Sequence, residues 1–307
     1  SAMYGFWQEG QPFTKLPFSA AHVGKGKLFD TDRYYVIYLD ALGLWGASKP
    51  SDGLGMKFPQ YNMFDLVQAN YRLLRDHLKV AQVQLATGVS MGGTQTYVWG
   101  LLHSRDGFVK AIMPIGGKTQ AAYGEDPVGD WIFQLMTAAI ESDPAWRETK
   151  GNYYHLPKEK HPNQGVAFGW SMLSHTGFGL DFRANSPWAA VEKEVFYWDA
   201  KGNEGASQKA KAAIFDAVDL IYRNRAGGPP VSVQDRLGQI KARTLVLHVE
   251  NDQWLVSDFA RQSAQKIPGA QFASFGDNYA HYAVFKAAET LKNDPLVNTF
   301  LRDIGII

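Results

Sequence analysis

The run Gly88-Val89-Ser90-Met91-Gly92-Gly93 carries the sharpest chemical signal in the chain. A serine with glycine two positions away on either side is the pattern of a nucleophile elbow, provided that a strand enters it and a helix leaves it. The pattern of residues meets both conditions. The apolar stretch from Val83 to Thr87 comes directly before, and a helical stretch from Thr94 to Leu102 comes directly after. The glycines let neighbouring backbone pass without a Cβ clash, and the helix turns its positive N-terminal end toward the reacting centre. The Met91 amide then stands where it can donate to a developing oxyanion.

A serine hydroxyl is a poor nucleophile until a base takes its proton, so a histidine and an orienting carboxylate are expected, in the chain order Ser, acid, His. Among the eight histidines, His22 precedes the first visible strand, His77 and His103 fall in helices, and His248 lies inside a strand. His155, His161 and His175 fall in a long aromatic-rich segment. His281 instead follows the strand-like run Gln271 to Phe275 and opens the last helical stretch, which places it on a loop at the carboxyl edge of the sheet. For the acid, Asp252 sits just past the run Thr244 to Val249. Glu250 is nearer the strand end, and Asp258 falls within the next helix. The expected catalytic set is Ser90, Asp252 and His281.

Other chemistries find less support. The chain has no cysteine, which removes disulfides, thiolate metal sites and cysteine nucleophiles together. There is no H-x-H, H-E-x-x-H or EF-hand loop, so no metal is expected. Gly24-Lys25-Gly26-Lys27 and Gly53-Leu54-Gly55 neither follow a strand nor open a helix, so no cofactor is expected either.

These residues need a scaffold, and its elements can be read from periodicity. The runs Tyr35 to Leu39, Val83 to Ala86, Val109 to Ile115, Thr244 to Val249 and Gln271 to Phe275 each read as a buried strand. Met63 to Val80 places Phe64, Val67, Tyr71, Leu74 and Leu78 on one helical stripe, and similar patterns cover Thr94 to Leu102, Ser257 to Ile267 and Tyr282 to Leu291. Strand alternating with helix implies an α/β protein with a mostly parallel sheet flanked by helices. The alternation breaks over residues 118–239, which are rich in aromatics and show no clear strand. This stretch reads as a helical insertion between two sheet strands, leaving residues 1–117 and 240–307 as the core.

Composition sets the outer bounds. A chain of 307 residues, 45% hydrophobic and 20% charged, can bury a large core and is neither a coiled coil nor a disordered segment. Thirty-one Lys and Arg against 30 Asp and Glu leave a formal charge of +1, so no basic field favours nucleic acid or an anionic membrane as partner. No apolar run approaches the roughly 20 residues of a membrane helix. The N-terminus shows no basic region followed by an apolar one, and a cytoplasmic location is favoured, although Ser1-Ala2-Met3 reads as a cloning remnant that would hide a removed leader.

The residues also resemble a known family. Asp30-Thr31-Asp32-Arg33-Tyr34-Tyr35-Val36-Ile37, Asp40-Ala41-Leu42-Gly43, Gly46-Ala47-Ser48-Lys49-Pro50 and the Ser-Met-Gly-Gly core of the elbow are similar to the homoserine O-acetyltransferase-like branch of the α/β-hydrolases. So is Ala138 to Trp146, followed by Gly151-Asn152-Tyr153, which looks like that branch's lid signature. The resemblance runs from about Lys25 onward. It implies an α/β-hydrolase fold with a helical lid, a small-molecule ester or acyl donor as partner, and a homodimer. Its pattern carries Ser90 as nucleophile, Asp252 as acid and His281 as base.

Three departures bear on substrate. The branch's acyltransferases have a strand before the Asp30 segment, and the turn after that strand supplies a second oxyanion amide; no such strand is legible in residues 1–24. They follow the catalytic histidine with an aspartate, where this chain has Tyr282, a candidate substrate contact. They carry an arginine ahead of the Ala-Ile pair, where Thr137-Ala138-Ala139-Ile140 stands here. A zwitterion such as homoserine needs partners of both signs, and both positions are neutral. The expectation is therefore a serine ester hydrolase, with an O-acyltransferase and a non-catalytic binding relative as alternatives.

Overall fold

Four strands, β1 (Val83–Val89), β2 (Val109–Ile115), β3 (Arg243–Val249) and β4 (Gln271–Phe275), pair in parallel, and their spatial order is their chain order. The structure is a computed structural model, and it describes residues 22–44, 46–120, 127–185, 215–227, 232–276, 279–285 and 288–306. The helices in chain order are α1 (Met63–Arg72), α2 (Met91–His103), α3 (Pro127–Ser142), α4 (Pro144–Thr149) and α5 (Asn163–Gly177). They continue with α6 (Leu180–Asn185), α7 (Ala217–Arg225), α8 (Ser257–Lys266), α9 (Ala288–Asn293) and α10 (Pro295–Asp303).

The chain divides into two compact units. One holds the sheet and comprises residues 1–41, 63–120 and 231–307; the other comprises residues 42–62 and 121–230. In the sheet unit, strand alternation sends side chains to opposite faces. Ala111, Met113 and Ile115 of β2 join Leu245, Leu247 and Val249 of β3 in a buried cluster with Val297, Phe300 and Leu301 of α10. Ile112 points the other way, toward α2, where a Cβ on Gly100 would come within 2.7 Å of its Cδ1. Both faces are thus covered, as a parallel sheet requires. No helix among the described residues is long and apolar enough to cross a membrane.

One expected strand is absent from the sheet. Residues 34–40 have no strand structure, and Tyr35 is 93% exposed, although Tyr34 and Val36 pack against the core cluster. The β-branched pattern of Tyr35 to Leu39 is satisfied by that one-sided packing, without a ladder partner among the described residues. The stripe through Met63 to Val80 also ends early. α1 stops at Arg72, a π-turn spans Leu73–His77, and Leu78 is exposed. Residues 1–21, which make up most of the segment where the resemblance places a preceding strand, lie outside the described residues.

The second unit is helical among its described residues. Gly165 and Gly169 of α5 let that helix close on α3, where a Cβ would meet the backbone of Ala139 and Ile140 at 2.8 Å and the side chain of Met136 at 2.9 Å. Residues 42–62 belong to this unit rather than to the sheet. The reason is polar. Asp219 of α7 accepts from both the backbone N–H (2.8 Å) and the hydroxyl (2.6 Å) of Ser51, and Tyr222 donates its hydroxyl to the carbonyls of Met56 and Phe58. Asp216 caps α7 and also receives the hydroxyls of Tyr153 and Tyr154. Arg223 on the same helix is 1% exposed, and neither its Nε nor its Nη1 has a hydrogen-bond partner among the described residues.

Candidate active site

Ser90 sits between β1 and α2 with φ 55° and ψ −121°. A non-glycine residue in this region stores roughly 1–3 kcal/mol of strain, so the surroundings must hold it there. They do so by backbone contacts. The Ser90 N–H donates to the Ile115 carbonyl at 2.9 Å, and the Ser90 carbonyl accepts from Thr94 at 3.1 Å. Close approach explains the glycines. A Cβ on Gly88 would lie 2.6 Å from the Gly92 carbonyl oxygen, and one on Gly93 would lie 2.9 Å from Gly117. The turn therefore needs small residues at these positions, which is what the sequence pattern offered.

The structure brings the three expected side chains together. Ser90 Oγ is 2.8 Å from His281 Nε2, and His281 Nδ1 is 2.6 Å from Asp252 Oδ2. Ser90 and Asp252 are each 6% exposed and His281 is 0% exposed, so the relay is dry. An ionised carboxylate can only accept, which assigns the imidazole proton to Nδ1 and leaves Nε2 free to accept from the serine hydroxyl. Asp252 reaches this position through a tight turn after β3, in which its Oδ1 accepts from the N–H groups of Trp254 (2.8 Å) and Leu255 (3.0 Å). Burial alone would push the Asp252 carboxyl up. The charge and hydrogen bond of His281, with help from His248 and the Leu255 N–H, outweigh it and hold the carboxyl below its usual range.

The other candidates fall elsewhere. Glu250 and Asp258 are exposed, and Asp258 faces Arg261 on its own helix. His103 is stacked on Tyr71, 3.8 Å between ring centroids. His248 is the exception. It lies beneath the site in β3, 1% exposed, with Nδ1 3.1 Å from the Val249 carbonyl, and burial lowers its pKa. The Met91 N–H occupies the first turn of α2, where no carbonyl of the helix can accept it. Tyr282 is half-buried next to His281, its ring 5.5 Å from that of Trp254. Thr137 lies in the helical unit, where its hydroxyl accepts from Asn224.

Trp254 did not emerge from the sequence. Its indole lies against His281, with ring centroids 4.6 Å apart and planes tilted by 36°. The available signal was its position two residues after Asp252, within the turn that the carboxylate nucleates. Among the described residues no group of three or more His, Asp or Glu could hold a metal ion.

With the geometry in place, the chain can be compared with known proteins. No family model matches it. It is 26% identical to a homoserine O-acetyltransferase of Methanosalsum zhilinae, over 92% of this chain but only 60% of the length of that protein. It is 23% identical to an ethyl acetate hydrolase of Pseudomonas veronii, over 91% of this chain and 78% of the relative. Among solved structures, the acetyl esterase MekB superposes with a TM-score of 0.77 at 21% identity, over 94% of this chain and 83% of that one. The fold these likenesses define is that of the α/β-hydrolases, and the sequence relatives bear the names of acyltransferases and ester hydrolases. The relatives it is similar to include further homoserine O-acetyltransferases, among them one of Trichormus variabilis at 28% identity over 92% of this chain and 79% of that protein.

Proposed function

We propose that this protein is a serine ester hydrolase working through an acyl-enzyme on Ser90. The observation that carries the reading is the unbroken relay from Ser90 Oγ through the His281 ring to Asp252, at 2.8 and 2.6 Å. Ser90 attacks the ester carbonyl while His281 Nε2 takes its proton. The carbonyl oxygen becomes an oxyanion and receives the Met91 N–H. Collapse of this intermediate expels the alcohol, which leaves with the proton from His281. Water then repeats the sequence on the acyl-enzyme and releases the carboxylic acid. Asp252 holds the imidazole tautomer and stabilises the imidazolium.

The neutral Tyr282 beside the base favours an apolar group on the ester over a charged amino-acid acceptor. The second reading, acyl transfer to an alcohol such as homoserine, is favoured by the names of several relatives. Both share the first half-reaction and differ in whether water or an alcohol takes the acyl group. Turnover of p-nitrophenyl acetate with and without homoserine separates them. Hydrolysis unaffected by homoserine is the expected result, and acceleration with formation of O-acetylhomoserine supports transfer instead. Labelling of Ser90 by a fluorophosphonate is expected in wild type and absent in Ser90→Ala, whose turnover should drop at least roughly 10³-fold. An unlabelled Ser90 in folded protein would leave a non-catalytic binding role.

A further inference from the structure

Trp254 touches both partners of the nucleophile. Its backbone N–H donates to Asp252 Oδ1 at 2.8 Å, while its indole covers the His281 ring at 4.6 Å. The side chain is 5% exposed, so the contact is shielded from water. A cation within about 6 Å of an indole centroid is attracted by the negative face of the ring system, more strongly when desolvated. In the triad reading the His281 ring gains a positive charge when Nε2 accepts the serine proton. An attraction that appears with that charge stabilises the transition state more than the ground state, which is the condition for raising kcat.

We infer that Trp254 is a positioning residue acting through His281, its indole face fixing the imidazole against Asp252 and stabilising the imidazolium formed as Ser90 attacks. The inference rests on the triad reading above. The proton balance is unchanged by it: the proton leaves Ser90 Oγ, resides on His281 Nε2 and passes to the departing alcohol, while Trp254 exchanges none. Among the described residues, the groups that bear on the imidazole are the Asp252 carboxylate, the Ser90 hydroxyl and the buried His248, with the ring of Tyr282, the next residue in the chain, 5.5 Å from the indole. Asp252 supplies the anionic side of the ring, and Trp254 supplies an uncharged wall that favours the cation without competing for its Nδ1 proton.

The test uses the full chain with p-nitrophenyl acetate and compares wild type, Trp254→Phe and Trp254→Leu across pH. Leucine keeps the wall apolar but removes its π face. Trp254→Leu is expected to lose about tenfold in kcat with little change in KM, and the acid limb of its kcat/KM profile should move to lower pH, because the imidazolium has lost a stabilising neighbour. Trp254→Phe should recover most of the loss. Equal losses in the two variants, or an acid limb that moves to higher pH as water enters, would overturn the inference in favour of simple packing. If Trp254→Leu does not fold, fluorinated tryptophans placed at position 254 keep the shape and weaken the π face stepwise; a graded loss of kcat supports the inference, and unchanged kcat overturns it. Fluorophosphonate labelling of wild type runs in parallel. Failure to label Ser90 sinks the triad reading itself, whereas a labelled wild type with unaffected Trp254 variants sinks only the role given to the indole.

Discussion

His281 Nδ1 and Asp252 Oδ2 lie 2.6 Å apart, and both side chains are wholly shielded from solvent. A carboxylate in such a place has no water to replace it. Asp252→Asn offers an amide instead and can stabilise the wrong imidazole tautomer, so kcat on p-nitrophenyl acetate should fall by about 10³ to 10⁴ while the fold is kept. A variant within tenfold of wild type would show that the carboxylate does not serve the base.

The same pair predicts a pH effect of opposite sign to one in the helical unit. Burial, followed by the nearby charge of Asp216, pushes the Asp219 carboxyl up to about 7, against the opposing hydrogen bonds from Ser51. The folded state therefore holds a proton that the unfolded chain releases near its ordinary value of 3.8. This contribution to stability is full below pH 4 and is lost as pH rises toward 7, by a few kcal/mol at most. Asp252, held low in the fold, contributes the reverse: stability present above its ordinary range and lost on acidification. Melting temperature against pH should fall less between pH 4 and 7 in Asp219→Asn than in wild type. Parallel curves would refute the assignment.

Backbone crowding at the elbow gives a third prediction. A Cβ on Gly117 would lie 2.3 Å from the Gly93 carbonyl carbon and 2.5 Å from the Thr94 nitrogen, and neither can move without displacing the start of α2. Gly117→Ala should cost about 2–4 kcal/mol in stability and most of the activity. Gly238→Ala, whose nearest contact would be an ordinary 3.8 Å, is the control and should change little in either respect. Equal behaviour of the two would rule out steric crowding as the reason for glycine.

Arg223 gives a fourth. Burial lowers its guanidinium to about 10, with the Tyr61 phenol acting in the opposite direction, and its Nε and Nη1 have no acceptor among the described residues. A buried cation with unmet donors is a cost, and an apolar side chain of similar length removes it. Arg223→Met should raise stability by about 1–3 kcal/mol in denaturant titrations. A marked loss of stability would mean that the arginine has a partner in solution.

What was legible in the residues, and what was not, follows the range of the forces involved. The elbow showed itself because strain at Ser90 can be met only by glycines at fixed offsets, a local requirement written into adjacent positions. Asp252 and His281 showed themselves because each follows a strongly patterned strand, and parallel strands deliver their carboxyl ends to one edge. The Tyr35 to Leu39 run misled because one-sided packing and a sheet position leave the same alternation. Membership of residues 42–62 in the helical unit was hidden, since the bonds from Ser51 to Asp219 and from Tyr222 to Met56 and Phe58 join residues more than 160 positions apart. The indole beside His281 was hidden for a related reason, because ring contacts across 27 positions leave no periodic trace.

The adjacency of β2 and β3 has an evolutionary corollary. Ile115 and Leu247 are registered partners in neighbouring strands, yet the whole stretch from residue 121 to 230 is threaded between those strands. Such a stretch can be lengthened, shortened or replaced without rewiring a single rung of the ladder, so a lineage can renew it while inheriting the chemistry intact. The graft has one condition. Because residues 42–62 fold with it, a transplanted cassette must bring that distant piece along, or leave Asp219 and Tyr222 facing strangers.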